Sequence, residues 1–350
     1  MARLFELIGI THSPPYVTRF RDPNEKNEGI LRAKLAVQEM HERMARARPD
    51  VLVCLGNDHL SQIFMNNMPG FMVIKAQRVA GPWKWERDGG IPAYEANVEV
   101  GLAKSIVRSG FDHGVDFAFS DEYKLDHAFC VPLSFIRPEA DLPIVPIFCN
   151  VMAPPIPPAR RFFEVGTRLR EIIEEYPDDL RVGVVCTGHL SLEIGGPTGS
   201  GTSAPDPEFD DTAVDYIGRG NVDGVLREFT TDRMMRAGNY TAGVLNFVAL
   251  MGLGYGGTSV IYSTAAADLF QGRHFGKILG LMEIGFGLGA SLGSAVAGVV
   301  FDHFQTYRPA FYLTIGLMLA SIAGIWVAAP RTARRTMETL ASAPAPRPVR

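Results

Sequence analysis

Three histidines stand just beyond short apolar runs. Leu4 to Ile10 reads as a buried β-strand, and Thr11-His12-Ser13-Pro14-Pro15-Tyr16 follows it, where two prolines bar further strand or helix. Val51 to Leu55 stops the same way on Gly56-Asn57-Asp58-His59, and Val182 to Val185 runs into Cys186-Thr187-Gly188-His189. Imidazole both ligates metals and exchanges protons near neutral pH. Two histidines and one acid on one face of a divalent ion make the facial triad of non-haem Fe(II) sites, which leaves positions open for substrate and dioxygen. His12 and His59 are the metal-ligand candidates, because each sits at a strand end in a Gly/Asn/Pro turn. A histidine bonded within its own turn is the other reading, and the two matched positions keep both open. His127, beside Asp126, suits a general acid/base or a surface position in an acidic loop. His189 divides between a catalytic base and a loop histidine bonded to nearby backbone. His41, beside Glu42 and Arg43 on a helix, and His113, in a turn, read as solvated.

The elements that must hold these residues alternate strand and helix. Gly29 to Arg48 forms an amphipathic pattern with Ile30, Leu31, Leu35, Val37, Met40 and Met44 on one broad face. Phe71–Lys75 reads as a strand, Pro92–Ser109 as a helix and Val115–Phe119 as a strand. Ser120 to Leu133, which carries His127, is too polar for core. Ile144–Asn150 is a strand, Pro154–Pro158 a stiff connector, Ala159–Tyr176 a strongly amphipathic helix, and Gly195–Gly201 a Gly-rich loop. This order predicts an α/β fold with a central mixed sheet flanked by helices. In such sheets the ligand crevice lies beyond the carboxyl ends of the strands, which is where the three histidines fall.

Composition narrows the classes. The 350 residues carry a net charge of −4, which excludes a basic nucleic-acid-binding surface. Cys54, Cys130, Cys149 and Cys186 have no paired spacing and read as buried thiols. The N-terminus shows no long apolar signal segment, so a cytoplasmic location is expected for the N-terminal part. Charge is spread normally up to Arg236 and absent from Gly238 to Ala267. Ile278–Phe301 is apolar except for Glu283, and Ala310–Ala329 is an uncharged run of 20 residues. Both are long enough to span a bilayer core. Gly285, Gly289 and Gly293 give the first a close-packing face. The Ala/Pro/Arg-rich tail, 336–350, is expected to be disordered.

Four segments in order resemble one family: Thr11 to Tyr16, Gly56 to His59, Leu125-Asp126-His127-Ala128-Phe129-Cys130-Val131-Pro132-Leu133, and Thr187-Gly188-His189-Leu190-Ser191-Leu192-Glu193. They are similar to the class III extradiol ring-cleavage dioxygenases, the family of the protocatechuate 4,5-dioxygenase catalytic subunit, over about residues 5–252. The resemblance implies Fe(II), a catechol-type substrate chelating through both hydroxyls, and dioxygen at the same iron. By position, His12 and His59 resemble the two iron-binding histidines and His127 an active-site histidine that contacts substrate or transferred oxygen. Two departures stand out. The family's acid/base histidine falls at Leu192, with His189 three residues earlier. The family's third ligand, a glutamate, falls near Gly243, which has no side chain to offer, so iron is expected to bind weakly.

A second resemblance lies C-terminal. Gly254-Tyr255-Gly256-Gly257, Ala267-Asp268-Leu269-Phe270-Gln271-Gly272-Arg273 and Phe301-Asp302-His303-Phe304-Gln305-Thr306-Tyr307-Arg308-Pro309 resemble the last helices of a major facilitator superfamily transporter. The chain therefore reads as a fusion: a dioxygenase-like domain over 1–252, transporter-like membrane helices over 253–335 with spans near 278–301 and 310–329, and the tail. Arg273, His274 and Lys277 before the first span, and Arg331, Arg334 and Arg335 after the second, put both flanks in the cytoplasm, as a hairpin tethering the enzyme domain to the membrane. Ala242–Val248 is then expected to stay with the N-terminal domain. The expected function is extradiol cleavage of a catechol-type aromatic, with His127 and His189 catalytic and His12 and His59 on iron. The expected partners are the catechol, dioxygen, the membrane and a second copy in a homo-oligomer. A membrane-anchored pseudoenzyme that binds an aromatic diol without turnover, and a transporter fragment with an incidental head, are the other readings.

Overall fold

The computed structural model describes residues 1–195, 202–203, 206–255, 292–293 and 296–328. The chain forms two compact units, Met1–Gly256 and Gly257–Arg350.

The first unit is an α/β layer structure. Its elements run β1 (Arg3–Thr11), α1 (Pro15–Arg19), α2 (Glu28–Ala47), β2 (Val51–Gly56), β3 (Phe71–Ile74), β4 (Arg78–Gly81), α3 (Lys84–Asp88), β5 (Tyr94–Asn97), α4 (Val100–Asp112), β6 (Ala118–Ser120) and α5 (His127–Ile136). There follow β7 (Ile144–Cys149), α6 (Ala159–Glu175), β8 (Arg181–Gly188), β9 (Glu193–Ile194), β10 (Thr202–Ser203), α7 (Pro207–Gly218), α8 (Val222–Glu228) and α9 (Thr231–Ala237). A short 3-10 turn, Thr241–Val244, then leads into α10 (Leu245–Tyr255).

The main sheet has six strands in the order β1-β8-β2-β7-β3-β6. Only the β3–β7 pair is antiparallel; the other four pairings are parallel, so the sheet is mixed as predicted. Strands β2 and β7 are buried at every residue, the signature of a parallel strand covered on both faces. The consequential feature is β8. It is the last strand of this sheet in sequence, yet it inserts between β1 and β2.

Two local expectations are corrected. Pro92–Ser109 is not one helix: Tyr94–Asn97 alternates buried and exposed side chains, pairs antiparallel with β4, and only then does α4 begin. The period-2 burial wins over the helical reading. Ser120–Leu133 is not all surface, because Asp126 accepts a hydrogen bond from the Ala128 N–H at 3.0 Å and starts helix α5. The residues from Ala128 to Leu133 are buried.

The close contact of α6 and α10, made at glycines, explains why the uncharged stretch after Gly238 stays with this unit. Ala242, Val244, Leu245 and Val248 are buried in its core, as expected for Ala242–Val248. The two helices cross at Gly166 and Gly252. A Cβ on Gly166 would overlap the Ala249 carbonyl, and one on Gly252 would overlap the Phe163 carbonyl. Arg170, also buried, donates to the Leu253 carbonyl at 3.0 Å and closes the end of α10.

In the second unit, the predicted first span, 278–301, lies outside the described residues except for 292–293 and 296–301. The second predicted span forms a helix, Arg308–Ala328. Among the described residues no helix is long and apolar enough to cross a membrane. The tail, 336–350, also lies outside the described residues.

Gly252→Ala is expected to destabilise the full chain by about 2 kcal/mol through overpacking against α6. Gly218→Ala, where a Cβ meets nothing within 4 Å, is the control. Urea melts compare them, and an unchanged midpoint for Gly252→Ala would refute the tight crossing.

Candidate functional site

The pairing register sets the histidines side by side. Thr11 of β1 is level with Gly188 of β8, and Leu55 of β2 is level with Cys186. His12 and His189 are each the next residue beyond a matched pair. Their ring centres lie 5.3 Å apart, close to the ~4.8 Å spacing of adjacent strands. His59 arrives from the loop after β2, with its ring 5.3 Å from that of His12. His127, at the first turn of α5, lies 5.8 Å from His12 and stacks on His59 at 3.9 Å and 22°. All four sequence candidates therefore line one cavity of about 590 Å³, with Tyr16, Leu192, Asp210, Tyr240 and Phe247 in its wall. Donor atoms of His12, His59 and His127 lie within 4.8 Å of one another.

Two buried carboxylates aim two of the rings. Asp126 Oδ2 accepts from the His59 N–H at 3.0 Å and from His59 Nδ1 at 2.7 Å. Glu86 Oε1 accepts from the His127 N–H at 3.0 Å and from His127 Nδ1 at 2.6 Å. An ionised carboxylate only accepts, so each Nδ1 carries the proton and each Nε2 keeps its lone pair. Asn57 Nδ2 donates to His59 Nε2 at 3.2 Å, which agrees with that tautomer. Each acid is itself anchored at a helix start: Asp126 Oδ1 by Ala128, Glu86 Oε2 by the Trp83 N–H at 3.0 Å. Burial opposes the charge of Asp126, but the positive charge His59 would carry, its hydrogen bonds, and the charge His127 would carry outweigh it and hold the carboxyl below its usual range.

The other two rings are held by burial. His12 is buried, and its Nδ1 has no hydrogen-bond partner among the described residues. Burial, followed by the charges His189, His59 and His127 would carry, pushes His12 well below the ordinary imidazole range. His189 Nδ1 meets the Leu190 carbonyl at 3.3 Å. Burial lowers His189 to about 4. Both rings are therefore neutral near pH 7, the form that ligates metals or accepts protons.

Gly243 sits directly behind His189. A Cβ built on Gly243 falls into the imidazole, in contact with Cε1, Nε2 and Nδ1. No side chain can leave position 243 toward the cavity while His189 stands there.

Several supporting residues escape sequence reasoning. Glu86 had a faint signal, an acid at the third position of a short helix after Trp83. Asn246 had a clearer one, as the lone amide in an apolar helix: its Nδ2 donates to the Thr187 carbonyl at 2.7 Å and ties α10 to the end of β8. Asp210 takes the Ser191 N–H at 2.6 Å and its Oγ at 3.0 Å. Thr241 Oγ1 takes the Leu192 N–H at 3.2 Å. These bonds fix the loop after His189, and nothing local in the sequence announces them. His41 and His113 lie away from the cavity and are half-buried rather than solvated, bonded to the Ile136 carbonyl at 3.1 Å and the Ser109 carbonyl at 2.9 Å. All four cysteines are buried free thiols, as expected.

A parallel-dominated α/β sheet whose carboxyl edge carries four converging imidazoles, two of them backed by buried carboxylates, defines a histidine-lined pocket of metal-site type. The chain belongs to the family of the catalytic LigB subunit of aromatic ring-opening dioxygenases, whose profile matches residues 6–271. A second profile, that of the major facilitator superfamily, matches residues 234–350 and overlaps the first over 234–271.

Among similar proteins is the 2,3-dihydroxyphenylpropionate/2,3-dihydroxicinnamic acid 1,2-dioxygenase of Photorhabdus laumondii, 29% identical over 187 residues, 53% of this chain and 55% of that one. The enzyme of the same name from a Rhodococcus species is 28% identical over 239 residues, 68% of this chain and 70% of that one. The gallate dioxygenase of Pseudomonas putida is 34% identical over 119 residues, 33% and 34% of the two chains. The chain spans about half the length of most of the curated relatives it matches.

The depressed basicity of His12 and His189 makes stability depend on pH. Unfolded imidazoles take up protons from about pH 6.5 downward, before the folded ones do. The stability contributed by the neutral buried rings is present above that pH and lost as pH falls toward about 4. The urea midpoint of the metal-free chain is expected to drop across this window, and His189→Ala to flatten part of the drop. An equally steep drop in the variant would contradict the assignment.

Proposed function

We propose that the chain cleaves a catechol-type ring beside its two hydroxyls, with Fe(II) held by His12 and His59. The observation that carries this reading is the convergence of four imidazoles, three with donor atoms within 4.8 Å, at the carboxyl edge of the sheet. The residues fit a divalent ion. The buried His12 Nδ1 lacks a partner among the described residues, His12 is neutral by burial, and His59 has the carboxylate-backed ring that is common behind metal-bound histidines.

Fe(II) bound there supplies a Lewis acid that eases catechol deprotonation and a common point for diol and dioxygen. The chain's own residues do the rest. His127, its Nδ1–H committed to Glu86, presents Nε2 to the cavity as the base that accepts a hydroxyl proton. His189, neutral at pH 7, is the second proton carrier. Leu190, Leu192 and Phe247 exclude water from the ring.

A second reading, an aromatic-diol-binding protein without turnover, is favoured by Gly243. The position matching the family's carboxylate ligand is a glycine pressed against His189, so the site offers imidazoles where a two-histidine, one-carboxylate set is expected.

For the second unit we propose a membrane tether. The support is the transporter-family match and an apolar helix surface, with Phe311, Tyr312, Leu317, Met318 and Leu319 each at least 60% exposed, a surface that seeks lipid or protein cover. Retention of the full chain in a carbonate-washed membrane pellet tests it, and release into the wash would count against it.

The main test is anaerobic Fe(II) titration of the full chain, followed by oxygen uptake with a catechol panel that includes protocatechuate and gallate. Weak but measurable Fe(II) binding is expected, weakened at least tenfold further by His12→Ala and by His59→Ala. Catechol-dependent uptake is expected to fall at least 100-fold in His127→Ala with iron retained. Iron binding and diol binding without uptake would favour the second reading.

A further inference from the structure

The pocket's charge points to its substrate class. Among the described residues that line it there is no lysine or arginine, and its one carboxylate is Asp210. Three basic side chains close in sequence to its wall are engaged elsewhere. Arg19 pairs with Glu25 at 2.7 Å, Arg233 pairs with Asp206 at 2.5 Å, and the Lys124 ammonium lies 4.5 Å over the Trp83 ring.

The segment that forms the β8 side of the pocket reinforces this. From Val182 to Gly218 the sequence contains no lysine or arginine, while it carries Glu193, Asp206, Glu208, Asp210, Asp211 and Asp215. The rest of the wall is apolar or hydroxylic: Pro14, Pro15, Leu190, Leu192, Ile194 and Phe247 stand beside Tyr16 and Tyr240.

A ring carboxylate entering such a pocket loses its water and gains no paired cation. Proteins that bind carboxylates usually supply a planar arginine or a lysine for this purpose, and an ionised group without such a partner is costly to bury. Asp210, of like sign, raises that cost further. An alkyl or aryl substituent meets none of these penalties and covers apolar wall instead.

We propose that this pocket takes a catechol whose ring substituent is uncharged and apolar, and discriminates against carboxylate-bearing catechols. The proposal rests on the extradiol reading above. It sets this chain apart from the similar proteins named for 2,3-dihydroxyphenylpropionate and for gallate, both of which are acids.

The test uses the full chain loaded anaerobically with Fe(II) and two pairs of size-matched ligands: 4-methylcatechol against protocatechuate, and 3-propylcatechol against 3-(2,3-dihydroxyphenyl)propionate. Kd is read by calorimetry without oxygen, and kcat/KM by oxygen uptake. The uncharged member of each pair is expected to bind and react at least tenfold better. Leu192→Arg, which adds a cation to the wall, is expected to shift that ratio at least tenfold toward the acids. Equal or tighter binding of the acids by the unaltered chain, or no binding of any of the four, would overturn the proposal. Tight, selective binding of the uncharged members without oxygen uptake would uphold it while removing the ring-cleavage reading.

Discussion

The pairing of β8 between β1 and β2 is the constraint on which the site depends. Parallel strands run in one direction, so their carboxyl ends share one edge, and three adjacent strands deliver His12, His189 and His59 there, the last two with rings each 5.3 Å from that of His12. Thr11 level with Gly188 makes His12 and His189 neighbours. A one-residue slip in that register would turn both rings to opposite faces of the sheet. The apolar backbone of the sheet, with β2 and β7 buried throughout, makes such a slip costly. The position of the imidazoles is thus enforced by the hydrophobic core rather than by their own contacts.

Around that frame, electrostatics divides the four rings into two kinds. His59 and His127 are pinned through Nδ1 by Asp126 and Glu86, each of which also holds the backbone N–H of the same histidine. One carboxylate therefore fixes both the position and the tautomer of one ring. His12 and His189 have no such acid and are kept neutral by burial. His59 and His127 also stack on each other, with ring centres 3.9 Å apart and planes 22° apart.

Gly243 and His189 form one packing arrangement: the space in front of the glycine holds the His189 ring. Asn246, Thr241 and Asp210 lock it by tying α10, the 3-10 turn and α7 to the strand end and its loop. The match to a transporter family begins at residue 234, in α9, and runs through the 3-10 turn and α10, so the overlap of the two profiles falls on residues the first unit uses for its own core.

Much of this was legible from the residues alone. Apolar runs ending in Thr11-His12 and Gly56-Asn57-Asp58-His59 announced strands and their functional ends, because alternation of burial and turn chemistry are local properties. The mixed α/β sheet followed from the order of strand and helix. The helical reading of Pro92–Ser109 missed the strand Tyr94–Asn97, whose pairing with Arg78–Gly81 is decided across the chain. Glu86 could not be linked to His127 from 41 residues away, nor Asp126 to His59 from 67, since nothing in a linear pattern states which buried acid faces which ring. The sequence by itself determined the four imidazoles, the strands that carry three of them and the glycine at position 243. Only the tertiary structure decided that β8 threads between β1 and β2, that each of two rings is aimed by one acid, and that His189 fills the space before Gly243. These are non-local contacts, set by how the sheet closes and the core packs rather than by any residue's immediate neighbours.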